Sequence, residues 1–378
     1  MVLPLEGIKI LDSAHQYPGP YCSMLLADLG ADVLKIEKPG TGDPARQAPR
    51  FFQSINRNKK SLTLDLKKPE AREILYRLVK SYDVFSEGFR PGVSKRLGVD
   101  YEVLKKINPA IIYCSISGYG QEGPYRDRPG HDLNYQAMSG MLGSFKDRDG
   151  TFTPPGVAIG DLSSGMFAAL GIMAALMARE KIKQGQYIDV SMSDGLLSWM
   201  STQLGGLPSA GGGIGGDPGY GIFKAGDGRS FTLGIAHEDW FWERLCLAVG
   251  LKEYSALNGL ERRKQRDVLI GKLNDIFLEK TRDEWVRILE AADVPVSAIN
   301  ELSEVPEDPH VKHRKMIQEI TLDSGDRIRQ VSFPVRLSRT PAEIRMPPPA
   351  LGQHTEEVLK EAGYSDGEIK KFRGDGCI

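Results

Sequence analysis

Short apolar runs that end in turn formers alternate, in the first part of the chain, with segments whose apolar residues recur at helical spacing. "GIKILDSA" is such a run and predicts a strand. "PYCSMLLADLG" follows with helical spacing and a closing glycine. "ADVLKIEKPG" predicts the next strand, and "SLTLDL" alternates as a strand does. "PEAREILYRLVKSY" has proline at the first helical position. "DVFSEGF" and "AIIYCSISGYG" predict further strands, separated by the short helix "YEVLKKI". Such alternation implies a mostly parallel sheet with helices on both faces, an α/β fold. Ligands of these sheets bind beyond the carboxyl ends of the strands. The segments "SAHQYPGP", "KIEKPGTGD", "SEGFRPG" and "SISGYGQEGP" are therefore candidate walls of a site.

Farther along, "GVAIGDLSSGMFAALGIMAALMARE" predicts a buried helix with one carboxylate, Asp161, ahead of a long apolar run. Its apolar part is short for a bilayer span and rich in Ala and Gly. The glycine-rich "SAGGGIGGDPGYG" marks a change of region. Its Gly211 to Gly216 match G-x-G-x-x-G formally, but no strand precedes them and no helix opens from them, so a linker or mobile loop is expected. "FKAGDGRSFTLGI" reads as a hairpin, followed by helical segments to about Ala292. This second region has the pattern of a smaller α+β domain. "PVSAINELSEVPEDPHVKHRKM" reads as a polar, proline-punctuated connection leaving it. "RIRQVSFPVRLS" predicts strand, and "HTEEVLKEAGYSDGEIKKFRGDG" predicts two short helices.

The length, 378 residues, favours two domains over one core. Hydrophobic residues make up 40% and charged residues 26%, an ordinary globular composition. A formal net charge of -1 gives no electrostatic case for a nucleic-acid partner. Cys22, Cys114, Cys246 and Cys377 are far apart and form no CxxC pair, so they read as reduced thiols of a cytoplasmic protein. The start "MVLPLEGIKILDS" lacks the pattern of a signal peptide, and no membrane association is expected. No metal site is expected either, since His310 and His313 have no accompanying ligand cluster. A serine-nucleophile elbow and a Walker loop are both missing.

Three places could carry nucleophilic or acid–base chemistry, and two further sets of residues could bind a ligand. Asp161 is a helix cap in the plain reading, and a nucleophile or base in the sharper one. "RPGHDLNYQAMSG" brings His131, Asp132, Asn134 and Tyr135 together. There Asp132 could simply open a helix and His131 be a hydrogen-bonded surface or core residue; the functional alternative for His131 is acid–base chemistry. "GIAHEDWFWERL" places His237 and Glu238 at a helix start, where an acid is at home in any case. Lys38, Lys67, Arg90 and Arg96 follow strand ends. Each alone is ordinary surface charge; as a set they suit a phosphate-rich ligand. Tyr17, Trp199, Tyr220, Trp240 and Trp242 could wall a pocket for an aromatic or branched acid, although buried aromatics usually serve the core.

The chain resembles the class III CoA-transferases and the 2-methylacyl-CoA racemases that share their fold. The resemblance rests on "LPLEGIKILD", "GPYCSMLLADLGADVLKIEKPGTGD", "NRNKKSLTLDLK", "GFRPGVSKRLG", "NPAIIYCSISGYGQEGPY", "GHDLNYQAMSG", "GDLSSGMFAALGIMAAL", "GQYIDVSMSDG" and "EDPHVKHRKM", in that order over nearly the whole chain. It implies a Rossmann-like large domain (1–204), a glycine-rich linker (205–221), a small α+β domain (222–315) and a C-terminal return to the large domain (316–378). It further implies an interlaced homodimer or a heteromer with a homologous subunit. Coenzyme A, as its substrate thioester, would lie at the large domain with the reactive group between the domains. His15, Lys38, Lys67, Arg90, Arg96 and Leu97 fall where that family contacts CoA. In one departure, Gly88-Phe89 stands where the family usually has Asn-Phe.

By resemblance Asp161 is the catalytic aspartate. It would attack an acyl-CoA thioester to give an aspartyl anhydride, then an enzyme–CoA thioester from which a carboxylic acid collects the CoA. N–H groups of the following helix would steady the negative charge that develops. His131 and Glu238 fall on racemase positions, so the alternative is racemisation, with His131 and Asp161 as the α-carbon acid/base pair. A further alternative is a non-catalytic CoA-binding subunit. The glycine-rich loop and "YQAMSG" favour the transferase.

Overall fold

Ile10 and Leu11 are neighbours in one strand, and each is fully buried in a different core. The same division holds for Val33 and Leu34, for Val84 and Phe85, and for Ile112 and Tyr113. Successive side chains of a strand point to opposite faces, so a sheet covered on both faces needs apolar residues at every position. This is why "GIKILDSA" and "AIIYCSISGYG" read as continuous apolar runs rather than as alternating ones.

The structure is a computed structural model that describes residues 2–147, 149–206 and 216–378. Six strands, β1 (Lys9–Asp12), β2 (Asp32–Glu37), β3 (Lys59–Thr63), β4 (Val84–Glu87), β5 (Ile112–Ser117) and β6 (Tyr187–Ser191), form one sheet in the order β3-β2-β1-β4-β5-β6. Every pairing in it is parallel. The order reverses between β1 and β4, which opens a crevice at their carboxyl ends.

The connections in this part are α1 (Pro18–Asp28), α2 (Pro49–Ser54), α3 (Pro69–Val79), α4 (Val93–Leu97), α5 (Tyr101–Ile107), α6 (Asp132–Met138), α7 (Met141–Ser144), α8 (Ile159–Ile182) and α9 (Met192–Trp199). α1 and α8 cover one face; α3 and α5 cover the other. The predicted helix through "LNYQAMSGML" is broken into α6 and α7, because Gly140 takes a left-handed φ of 78° between them. α8 has 24 residues, longer than its apolar run, and among the described residues it is the one helix long and apolar enough to cross a bilayer. Half of its apolar window is buried against α1, β5 and β6.

The chain divides into two compact units, Met1–Met200 with His313–Ile378, and Ser201–Lys312. The second unit opens on α10 (Ser201–Leu204) and holds an antiparallel sheet of β7 (Tyr220–Lys224), β8 (Ser230–Gly234) and β9 (Val296–Ala298). β7 and β8 are the predicted hairpin. β9 lies in the segment expected to be a plain connection; three residues are too few to show a period. α11 (Asp239–Val249), α12 (Gly259–Lys264), α13 (Arg266–Phe277) and α14 (Arg282–Ala291) complete this unit. Its core contains Phe231, Trp242, Phe277 and Trp285. Of the glycine-rich stretch 205–221, residues 207–215 lie outside the described residues.

α15 (Pro309–His313) leads back to the first unit. There β10 (Ile317–Thr321) and β11 (Arg327–Val331) form an antiparallel pair. α16 (Thr355–Glu361) and α17 (Asp366–Gly374) follow, and Val358, Leu359 and Ile369 join the α3 side of the sheet.

Candidate active site

Asp161 is the third residue of α8 and does not cap it. The N-cap position belongs to Ala158, which has no side chain able to accept a hydrogen bond. The cap comes from far along the chain. Asp132 Oδ1 accepts the N–H of Gly160 at 2.7 Å and that of Asp161 at 3.3 Å. Its Oδ2 is held by the side-chain amide of the fully buried Gln136. Gly160 is required by this contact, because a Cβ there would stand 2.9 Å from Asp132 Oδ1 and 3.3 Å from Leu196. Two of the helix N–H groups expected to steady negative charge on a substrate are thus committed to Asp132.

The carboxylate of Asp161 is left without a hydrogen-bond partner among the described residues. Burial pushes its pKa up from the ordinary 3.8 to about 7, and the charge of Asp132 adds to the rise. Tyr135 lines the same cleft as Asp161, and the Asp161 charge reaches the phenols of both Tyr17 and Tyr135. Burial is the larger cause of the rise in both phenols. Tyr135 donates its O–H to the carbonyl of Gly130 at 2.6 Å.

Asp161 lines a cleft of about 460 Å³ at the carboxyl ends of β1, β4 and β5. The wall after β1 contains His15 and Gln16, with Gln16 at a left-handed φ of 64°. A buried ionic layer fixes this turn from beneath. Lys35 Nζ donates to the carbonyl of Ala14 at 2.8 Å and pairs with Asp43 at 2.8 Å. Asp43 Oδ1 accepts from the N–H of Gln16 at 3.0 Å and of Ala45 at 2.9 Å. Lys35 and Asp43 are both fully buried, and despite burial the Lys35 charge holds the Asp43 carboxyl below its usual range. Burial, then Lys35, lowers the pKa of His15, whose ring meets Phe89 edge-on at 5.9 Å.

The wall after β4 contains Gly88, Phe89, Arg90 and Arg96. Glu87, at the end of β4, is buried and accepts from Phe89 N at 2.6 Å and Ser115 Oγ at 2.6 Å. Burial pushes its carboxyl up to about 7. A Cβ at Gly88 would meet Ala14 at 3.6 Å, an ordinary contact, so no steric demand explains glycine in place of the family's Asn. The wall after β5 contains Arg126, Arg128 and His131.

The structure thus brings Asp161, His131, His15, Arg90 and Arg96 into one cleft. Lys38 and Lys67 are exposed after β2 and β3, and neither lines it. Leu97 packs on the α3 side of the core. Glu238 sits in the second unit as the N-cap of α11, where its carboxylate accepts from the N–H groups of Ala236 and His237, at 3.0 Å each. Those bonds hold its pKa below the ordinary value. Trp242 is a core residue, with its indole N–H on the carbonyl of Tyr254 at 2.8 Å. Arg126, Arg128 and Gln16 were not singled out from the sequence. The two arginines follow a predicted strand end, so that signal was available; nothing local marks Gln16 as left-handed.

Comparison with known proteins adds the following. The sequence pattern of CoA-transferase family III matches residues 5–355. A succinyl-CoA:glutarate CoA-transferase of Mus musculus is 36% identical over 396 residues, spanning 99% of this chain and 90% of its own. A formyl-CoA:oxalate CoA-transferase of Rhodopseudomonas palustris is 31% identical, spanning 100% of this chain and 98% of its own. Among solved structures, a CAIB/BAIF family protein from Brucella suis superposes with a TM-score of 0.85 at 31% identity, covering 96% of this chain and 100% of that one.

Proposed function

The chain belongs to CoA-transferase family III, and from that premise we propose that it moves CoA from an acyl-CoA to a carboxylic acid with Asp161 as nucleophile. The observation that carries the reading is the unpartnered Asp161 carboxylate facing the cleft. A desolvated carboxylate keeps its lone pairs free and gains reactivity from its raised pKa. Asp161 Oδ attacks the thioester carbon, the C–S bond breaks, and CoA leaves as thiolate with the electron pair. The thiolate then attacks the aspartyl carbonyl of the mixed anhydride, releasing the first acid as carboxylate. The second acid attacks the Asp161 thioester, and the freed thiolate takes its acyl carbon, regenerating the Asp161 carboxylate. With two α8 N–H groups held by Asp132, Gln16 in the cleft wall and its chain neighbour Tyr17 are the donors at hand for the developing oxyanions.

Arg90, Arg96, Arg126 and Arg128 give the cleft a basic wall for the phosphates of CoA, with the His15 ring beside them. Lys38, Lys67 and Leu97 belong to the proposed CoA contacts by resemblance alone. A second copy of the chain would cover the outward side of α8, where Met166, Leu170 and Met177 are exposed. The four buried, unpaired cysteines fit a cytoplasmic location.

The test is to incubate the protein with an acyl-CoA, treat it with hydroxylamine, and look for a hydroxamate at Asp161 by peptide mass spectrometry. Full transfer by Asp161→Ala, or a hydroxamate elsewhere, sinks the proposal. Racemisation remains a second reading because His131 lines the same cleft as Asp161. It requires deuterium to enter the α-carbon of a 2-methylacyl-CoA from D₂O with no acid present.

A further inference from the structure

Tyr17 stands between two cavities. Its neighbours Gln16 and Pro18 line the cleft that holds Asp161; Tyr17 itself lines a second groove of about 340 Å³. The groove continues along Tyr21, Met24, Leu25, Ile55 and Phe333. Phe51 backs the Tyr17 ring edge-on, with centroids 5.0 Å apart, and Tyr21 meets it at 6.3 Å.

The groove lies one helical turn from the nucleophile. Gly165 is one helical turn beyond Asp161 and shares its face of α8. A Cβ on Gly165 would lie 2.7 Å from the carbonyl oxygen of Pro18 and 3.0 Å from the ring of Tyr21. α8 and the start of α1 therefore touch one turn below Asp161, which sets Tyr17, the residue before Pro18, near the start of α8.

Its charges are spoken for. Arg57 is buried and holds Asp28 with two hydrogen bonds, at 3.0 and 2.6 Å, and Gln330 with a third at 2.8 Å. Arg329 lies at the exposed edge, 3.8 Å from Glu319. Among the described residues, no cation of the groove is left both buried and unpaired to receive a second carboxylate, and a buried carboxylate without a partner is costly.

We infer that the groove takes the body of an apolar, branched or aromatic monocarboxylic acyl group, with Tyr17 as a specificity-determining residue. This rests on Asp161 being the acyl acceptor. The test is independent of turnover: binding of two CoA thioethers, phenylpropyl-CoA and carboxypropyl-CoA, by calorimetry to the full-length protein. The expected result is phenylpropyl-CoA binding at least about 10-fold tighter, with the preference lost in Tyr17→Ala and kept in Tyr17→Phe, a range typical of apolar pocket discrimination. Equal binding, tighter binding of carboxypropyl-CoA, or a preference untouched in a folded Tyr17→Ala protein overturns the inference. So does a preference for carboxypropyl-CoA that disappears in Arg329→Ala. Failure of the transferase reading shows up separately, as a missing Asp161 hydroxamate.

Discussion

Asp132 caps the helix that carries Asp161: one oxygen of Asp132 receives the N–H of Asp161 itself at 3.3 Å and that of Gly160 at 2.7 Å. Helix capping thus falls to Asp132 and does not compete with the nucleophilic role proposed for Asp161. This arrangement leaves Asp161 unpartnered, and it sets a second negative charge beside it.

Transfer is expected to depend on the ionised form of Asp161. With the carboxyl raised to about 7, kcat/KM should fall about tenfold per pH unit below that point and level off above it. A pH–rate series from 5 to 8.5 checks this. A flat profile down to pH 5 contradicts the shifted carboxyl.

Asp132→Asn keeps an oxygen for the cap and removes the charge. The acidic limb of the same profile should then move to lower pH, because Asp132 is the second cause of the Asp161 shift. Asp132→Ala removes the cap as well and should cost about 0.5–2 kcal/mol in urea unfolding.

The raised carboxyl also makes a stability prediction. The folded state binds the proton more tightly than the unfolded chain, so the favourable contribution exists below the unfolded value of 3.8 and is lost as pH rises through about 7. Asp161→Asn should therefore be more stable than the parent at pH 8, by about 2–4 kcal/mol, and nearly equal to it at pH 4. Urea midpoints at the two pH values decide it.

Asp43→Ala leaves the fully buried Lys35 without its partner and frees the left-handed turn at Gln16. A destabilisation of about 3–5 kcal/mol is expected. Asp43→Asn, which can still accept from Gln16 and Ala45, should retain the turn better. An equal loss of activity per folded molecule in both variants would show that the charge, and not the turn, is what counts.

His131 separates the two chemistries. In a transferase His131→Asn should leave kcat within about threefold of the parent, since no step needs its proton. Loss of a positioned acid or base typically costs 10²–10⁴-fold, so a drop of that size in α-proton exchange, with exchange present in the parent, favours racemisation.

The parallel sheet, its helices and the family are legible in the chain, which also marks Asp161 as the candidate nucleophile. Those features are written in local periods and in ordered motifs, as in Ile10-Leu11 or in the run after Asp161. Which carboxylate caps α8, what holds Gln16 and how Tyr17 comes to stand between two cavities depend on tertiary contacts. Asp132 reaches Gly160 across 28 residues, and Asp43 reaches Gln16 across 27. A hydrogen bond between segments that distant leaves no period or spacing in the chain. It exists only once the sheet has brought the two loops to the same edge.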